Sequence, residues 1–457
     1  MSTLLSSTTS AAPGPDIRPG RLPAEAYAAR FADAVPALSA AQAVVAAERC
    51  LYCYDAPCQT ACPTGIDVPS FIRRIADGNL RGAAHAILEA NPLGGMCARV
   101  CPTEVLCEDV CVRNAQEGKP VEIGRLQRHA VDAVMDDAAA PPLFTRAAPS
   151  GRRIAVVGSG PAGIACAHVL ARLGHEVVVH DARAKAGGLN EYGLAAYKTA
   201  DDFAQRELAW LMGIGGITLR TGWRLETPAQ LAGLRDEFDA VFLGIGLAGA
   251  QQLALPGEAL AGVRDAVEFI AELRQAGELA ALPIGRRVVV IGGGMTAVDA
   301  AVQARLLGAE EAHIVYRRGP EAMSASLAEQ EWAQTNGVRL HHWMAPVEIV
   351  GSDGAATGVR FGRQALVDGA LRPTGEHETL AADMVFKAIG QRLADDVLDA
   401  YGLAAQGGRV LADDDGVTSL PGVWAGGDCR AGGRDLTVEA VEDGKRAARS
   451  IHAFLAA

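Results

Sequence analysis

Residues 152–182 read RRIAVVGSGPAGIACAHVLARLGHEVVVHDA. Ile154 to Val157 is an apolar run of strand length. Gly158, Gly160 and Gly163 form a Gly-x-Gly-x-x-Gly turn, and Pro161 and Ala162 sit inside it. An alanine-rich helical stretch follows, then a second strand, Glu176 to His180, that ends at Asp181. Strand, glycine turn, helix and strand in this order predict a parallel βαβ unit. The first glycine permits the tight turn, the second lets a pyrophosphate reach the backbone, and the third lets the helix pack close to the strand. The helix N-terminus offers unpaired N–H groups and a partial positive charge to phosphate. A carboxylate where Asp181 stands is placed to accept hydrogen bonds from ribose hydroxyls. The stretch therefore predicts a dinucleotide site.

The same unit returns at residues 285–319, GRRVVVIGGGMTAVDAAVQARLLGAEEAHIVYRRG. Gly292, Gly294 and Ala297 form the Gly-x-Gly-x-x-Ala variant, with Thr296 in the turn. No acid closes the second strand; Arg317 and Arg318 follow Tyr316 instead. Guanidinium groups there either clamp a 2′-phosphate or are solvated charges after a strand. Two such units suggest a flavoprotein that binds FAD in one and a nicotinamide nucleotide in the other. Near the C-terminus, GVTSLPGVWAGGDCRAGG places Asp428 after two glycines. This resembles flavoprotein disulfide reductases, in which such an Asp is brought to the FAD. The following LTVEAVEDGKRAARSIHAFL has apolar residues spaced by three and four and predicts a helix. Cys166 and Cys429 stand alone and form no redox pair.

The rest of the chain sets limits. A length of 457 residues predicts several domains. The net charge of −12 argues against nucleic acid as a partner, because neutralising phosphates needs a surplus of Lys and Arg. No apolar run reaches membrane-spanning length. The N-terminus lacks a basic start and an apolar stretch of signal-peptide length, which points to a cytoplasmic protein. Residues 1–23 read as a flexible tail, 24–135 as a helical domain, and 136–150 as a linker.

Eight of the ten cysteines fall between Cys50 and Cys111. In a cytoplasmic chain, clustered cysteines read as metal ligands or redox groups. The spacing is Cys50-x2-Cys53-x4-Cys58-x3-Cys62-Pro63, then Cys97-x3-Cys101-Pro102-x5-Cys107-x3-Cys111. Two [4Fe–4S] cubanes need eight ligands, and ferredoxin runs also end in Cys-Pro. Zinc is the alternative, but its ribbons pair two Cys-x2-Cys knuckles, and only one is present. On spacing alone, all eight cysteines are ligands and Cys97 is among them.

At this point a resemblance becomes specific. RCLYCYDAPCQTACPTGIDVPSFI, NPLGGMCARVCPTEVLCEDVCVR and IGRLQRHA resemble the N-terminal half of dihydropyrimidine dehydrogenases, in the layout of the flavin and iron–sulfur subunits of the bacterial NAD-dependent enzymes. The likeness continues through GSGPAG, GGLNEYGLAAYK, FLGIGLAGA, GGGMTAVDAA and TVEAVEDGKRAA, over roughly residues 40 to 457. Glutamate synthase small subunits share the architecture, but typically have a shorter second cysteine run and lack the GRLQ motif. The resemblance implies one cluster on Cys50, Cys53, Cys58 and Cys111. It implies a second on Cys62, Cys101, Cys107 and, as a non-cysteine ligand, Gln127, with Cys97 a bystander. FAD contacts carry over to Gly158, Gly160, Pro161, Ala162, Gly163, Asp181, Gly188, Leu189, Lys198, Asp428 and Thr437. Nicotinamide contacts carry over to Gly292, Gly294, Thr296, Ala297 and Arg317. Ser324 stands where NADPH-dependent relatives have a further Arg, which tilts the expectation to NADH, with NADPH possible.

The fold expectation is an α/β protein with an N-terminal all-α iron–sulfur domain and two Rossmann-like domains. The resemblance implies that the NAD(P)H domain, 251–383, is inserted in an FAD domain made of 151–250 and 384–457. The functional expectation is the electron-input subunit of a dihydropyrimidine dehydrogenase. Hydride passes from NAD(P)H to FAD, and single electrons pass through two clusters to a separate partner. That partner carries an FMN-bearing TIM barrel that reduces uracil or thymine, since this chain is too short to include one. No side chain is nominated as catalytic, because hydride moves between cofactors. The same electron module in a glutamate synthase or another ferredoxin-linked oxidoreductase is the alternative. A non-enzymatic redox sensor leaves two nucleotide folds unexplained.

Overall fold

The computed structural model describes residues 16–137, 139–247, 249–393 and 395–456. The first part of the tail expected over 1–23 lies outside the described residues. The chain forms two compact units. One comprises Phe31–Gln251, Ile270–Gln275 and Gly390–Ala457; the other holds the described residues up to Arg30, Gln252–Phe269 and Ala276–Ile389.

The larger unit begins with short helices, Ala40–Glu48, Pro57–Thr60, Val68–Ala76, Leu80–Ala90, Gly94–Val100, Val112–Glu117 and Ile123–Met135. Their starts are written locally. Ser39 and Gln42 form a capping box, the Asp67 carboxylate accepts from Ser70 N (3.1 Å), and the Asn79 side chain accepts from Gly82 N (2.8 Å). Their apolar faces meet in one core of Phe71, Ile72, Ile75, Ile87, Leu88 and Leu126, each essentially solvent-free. Of the stretch 136–150, expected as a linker, the described residues 139–150 form a fastened strap. Phe144 is buried, and the Arg146 guanidinium donates to the carbonyls of Ala171 (3.2 Å) and His175 (2.8 Å).

A five-stranded parallel sheet follows, built from Arg153–Val157 (β1), Glu176–His180 (β2), Ile217–Arg220 (β3), Ala240–Leu243 (β4) and the late strand Val423–Ala425. Its order is Val423–Ala425, β4, β1, β2, β3. Strand order therefore reverses between β1 and β4, and the crevice at their C-terminal ends is where such sheets bind ligands. Helix Pro161–Arg172 and the long helix Thr437–Ala456 pack closely against each other in this unit. Gly444 permits the approach: a side chain there would come under 3.0 Å from the Ala162 carbonyl oxygen.

The smaller unit repeats the plan. Val263–Asp265 (β5), Arg287–Ile291 (β6), Glu311–Val315 (β7), Val338–His341 (β8) and Met384–Lys387 form a parallel sheet in the order β5, Met384–Lys387, β6, β7, β8. An antiparallel meander, Met344–Ser352, Ala355–Val367 and Ala370–Ala381, precedes Met384–Lys387. Three boundaries differ from expectation. Residues 384–389 were assigned to the FAD domain, but their strand pairs with β6 and β5, because a buried Met-Val-Phe-Lys strand completes this sheet. The helix Ala24–Arg30 was assigned to the iron–sulfur domain but groups with this unit. Residues 16–22 are held rather than loose: Arg18 and Ile284 bridge through backbone hydrogen bonds, and Arg21 Nε donates to Ile284 O (2.9 Å).

Candidate functional site

The first glycine turn sits where the sheet reverses. Gly158 has φ +102°, and a side chain there would lie under 3.0 Å from the carbonyl oxygen of Gly244, just past β4. A side chain on Gly163 would strike the Gly158 carbonyl. Gly160 starts helix Pro161–Arg172, and Gly188, at φ +56°, faces it so closely that its Cβ would press on Gly160 Cα. Two bare backbones with a helix N-terminus between them make a cradle for a pyrophosphate, and the residues present fit FAD there.

Asp181 is buried at the end of β2. Its Oδ2 accepts from Ser159 N (2.8 Å) and from the Ser159 hydroxyl, and its Oδ1 accepts from Arg183 N (2.8 Å). The carboxylate thus shapes the glycine turn, and one lone-pair site remains for a ribose. Ser159 Oγ also accepts from Gly187 N (3.0 Å), tying this turn to the Gly187–Gly188 turn. Motif reading passed over Ser159, although its hydrogen bonds join the two turns.

Gly188 and Leu189 open the segment 188–199, and Lys198 ends its last turn, half-buried. Arg274 clasps the segment from outside, with Nε donating to Glu191 O (2.9 Å) and Nη1 to Thr199 O (3.0 Å). Thr437, the first residue of the C-terminal helix, donates to Asn190 Oδ1 (3.3 Å). Asp428 lies in the turn after Val423–Ala425. Burial, then the neighbouring Asp435, pushes its carboxyl up to about 6, against the pull of Arg409. The backbone of that turn is fixed by Asp443, whose Oδ2 accepts from Gly427 N (2.9 Å).

In the smaller unit, Gly292 repeats the geometry of Gly158. Its φ is +150°, and a side chain would strike the carbonyl oxygen of Ala388, just past Met384–Lys387. Gly294 caps helix Met295–Leu306, Thr296 is half-buried and Ala297 is buried. The Tyr316 ring fills the space above Gly293, and its hydroxyl donates to Ala322 O (2.7 Å). Arg317 and Arg318 are exposed beyond β7, and Ser324 Oγ borders Gly294.

The cysteines gather in two groups. Cys50, Cys53, Cys58 and Cys111 line one cavity together with Leu51, Ile72 and Arg113. Cys111, at the N-cap position of helix Val112–Glu117, joins them across more than fifty residues of chain. Burial raises the Cys50 thiol, with Cys53 and Cys111 adding to it. Burial pushes Cys58 up to about 11, helped by Cys50 and Cys111. In the second group, a hydrogen bond with Cys97 and then burial raise Cys101, which also feels Cys107 and Cys62. Burial raises Cys107, next to Glu108, Cys62 and Cys58. Crowded thiols that resist ionisation are what a cationic iron core neutralises. All ten cysteines are free. Four thiols around one cavity, with Cys62, Cys101 and Cys107 as a second group, are a donor set that fits iron–sulfur clusters.

Gln127 is buried on helix Ile123–Met135, and its Nε2 donates to Gly94 O (2.7 Å). Cys97 packs with Leu106 and Val438. Glu207 is wholly buried, and its Oε1 accepts from Gly95 N (2.7 Å) and Met96 N (3.0 Å) at the start of the helix that carries Cys97. Burial pushes its carboxyl up to about 8.

Two family models match this chain. The dihydropyrimidine dehydrogenase domain II, 4Fe-4S cluster, covers residues 27–139, and pyridine nucleotide-disulphide oxidoreductase covers 152–444. The chain is 32% identical to the NAD-dependent dihydropyrimidine dehydrogenase subunit PreT of Salmonella typhimurium, over 92% of this chain and 96% of that protein. It is also 32% identical to the glutamate synthase (NADPH) small chain of Escherichia coli K12, over 96% of this chain and 97% of that one. Among solved structures, FprA of Mycobacterium tuberculosis aligns with a TM-score of 0.56 at 21% identity, over 67% of this chain and 85% of that chain. Thioredoxin reductase of T. acidophilum aligns with a TM-score of 0.53 at 21% identity, over 67% of this chain and all of that one. These two likenesses speak to the fold. Among the described residues, no helix is long and apolar enough to cross a membrane.

Proposed function

Because this chain belongs to the pyridine nucleotide-disulphide oxidoreductase family and carries a 4Fe-4S domain in front of it, we propose that it is the electron-input subunit of a dihydropyrimidine dehydrogenase. It takes hydride from NAD(P)H at FAD and passes single electrons through two [4Fe–4S] clusters to an FMN-bearing partner. One observation carries the electron path. Thr437 and Val438 are adjacent on one helix; Thr437 bonds Asn190 beside the flavin cradle, and Val438 packs on Cys97 and Leu106 in the cluster region.

FAD and the clusters, when bound, supply the conversion of a two-electron hydride into single electrons. The chain's residues bind and orient. The turns at Gly158 and Gly188 would hold the pyrophosphate, Asp428 and Thr437 would contact the rest of FAD, and the turn at Gly292 would hold the nicotinamide nucleotide. The Cys50, Cys53, Cys58 and Cys111 set holds one cluster. Cys62, Cys101, Cys107 and Gln127 hold the other. Gln127 suits the last place because its nitrogen is anchored on Gly94 O and its oxygen is the donor left over. The pyrimidine reading is supported by the GRLQ segment that carries Gln127 and by the extended second cysteine run.

A second reading stands on the equal identity to a glutamate synthase small chain. The complex isolated without oxygen from its native host separates them. Uracil-dependent oxidation of NADH or NADPH is the expected result. Oxidation that responds instead to glutamine plus 2-oxoglutarate assigns the module to the other acceptor.

A further inference from the structure

Both cysteine runs contain the same triplet. Cys62-Pro63-Thr64 ends the first, and Cys101-Pro102-Thr103 lies in the second. The two threonines are used differently. Thr103 hydrogen-bonds the Glu108 carboxylate. Thr64 Oγ1 lies 3.3 Å from Cys62 Sγ and is buried. A cluster-bound cysteine has no proton, so in that pair only the threonine can donate. Lys445, on the helix that begins at Thr437, reaches the same turn. Its Nζ donates to Thr64 O (3.4 Å) and to Glu442 Oε2 (2.6 Å).

We propose that Thr64 and Lys445 raise the reduction potential of the cluster that includes Cys62, by an O–H···S hydrogen bond and a buried positive charge. The inference rests on the two-cluster reading above. Reduction adds a negative charge to the cluster, and hydrogen bonds to sulfur together with local charge set the potential. Lys445 and Glu442 are formally a neutral pair, so the sign depends on which charge is screened. The Lys445 side chain is 4% exposed and that of Glu442 is 21% exposed. Both border a polar cleft with Asp67, Arg74 and Arg449. Water in the cleft screens the more exposed carboxylate, whereas the ammonium acts on the Thr64 turn through protein. A cluster tuned upward would be a ready acceptor for electrons from a flavin bound near Thr437, about two turns from Lys445 on the same helix. Lys445 acts through the Thr64 turn and is a positioning residue.

The test is an EPR-monitored redox titration of the anaerobically purified full chain with its flavin and iron. Iron and sulfide content are measured in parallel. The wild type first reports whether two clusters are present. If it shows one, the two-cluster reading fails, whatever the potentials. If it shows two, Thr64→Val and Lys445→Met each lower one midpoint. The ratio of reduced to oxidised cluster at fixed potential falls about tenfold, or about 59 mV for one electron. That signal is the one altered in Cys107→Ser. Lys445→Arg restores the wild-type midpoint, and Glu442→Gln shifts it upward. Unchanged midpoints in Thr64→Val and Lys445→Met, at wild-type iron content, overturn the proposal. If Lys445→Met does not assemble its clusters, the isosteric Thr64→Val decides alone.

Discussion

The two glycine turns of this chain start from one motif and use it differently. Gly158 and Gly292 both sit at a sheet's reversal, where a side chain would strike the carbonyl of the neighbouring strand's end, Gly244 in one unit and Ala388 in the other. Backbone approach forbids substitution there in both. The third position diverges: Gly163 has no room for a methyl, while Ala297 is accommodated. The strand ends diverge further. The first closes on Asp181, already committed to the Ser159 turn; the second closes on exposed Arg317 and Arg318. On the proposed function, the motif would define where phosphate meets backbone, and the residues after the second strand what charge the nucleotide's sugar can carry.

The largest effect separates the third positions. Gly163→Ala forces a backbone clash of the kind that costs about 1–3 kcal/mol or more. Purified Gly163→Ala should contain less than about a tenth of the wild-type flavin by absorbance at that cost. Ala297→Gly should change the KM for NAD(P)H by no more than about a few-fold, since it only adds backbone freedom. Equal losses in both variants would break the contrast.

Next come the strand ends. Lost charge-assisted hydrogen bonds of about 1.5–3 kcal/mol predict that Arg317→Ala combined with Arg318→Ala raises the KM for NADPH roughly 10- to 100-fold. The KM for NADH should stay within about twofold, as it lacks the 2′-phosphate. Parallel shifts in both coenzymes would return these arginines to the role of surface charge.

A third test is set by pH. Glu207 ionises near 4.5 when unfolded and at about 8 when folded. Between those values the folded state holds a proton that the unfolded state has released. The contribution is fully present below about 4.5 and is lost as pH rises through about 8. Glu207→Gln lacks this dependence. The unfolding free energy of the wild type, read from denaturant unfolding, should therefore fall relative to that of Glu207→Gln from pH 5 to pH 8, by an amount on the order of 2–4 kcal/mol. A constant difference would show that the carboxyl is ionised throughout.

The smallest effect sharpens the role of Ser159. Ser159→Ala removes one donor to Asp181 and one acceptor for Gly187 N. A loss of about 1 kcal/mol, read as a roughly fivefold weaker hold on FAD, is expected.

Legibility in the sequence followed the range of the interactions. Both βαβ units, β2 ending at His180 and the helix after Asp428 were readable, because strand period, glycine turns and helix spacing are local patterns. That Met384–Lys387 belongs to the second sheet was not readable, since pairing partners leave no local mark. Ser159, Arg274, Lys445 and Glu207 were not readable as site residues, because each acts on a segment far along the chain.

The amino-acid sequence by itself determined the element types, the two glycine turns and the supply of eight clustered cysteines. Glycine conformations and cysteine spacing are set within a few residues. Only the tertiary structure decided that Thr64 faces sulfur while Thr103 faces Glu108. The same three letters, Cys-Pro-Thr, acquire different partners because burial and neighbouring helices, not the triplet, select which acceptor lies within reach of the hydroxyl.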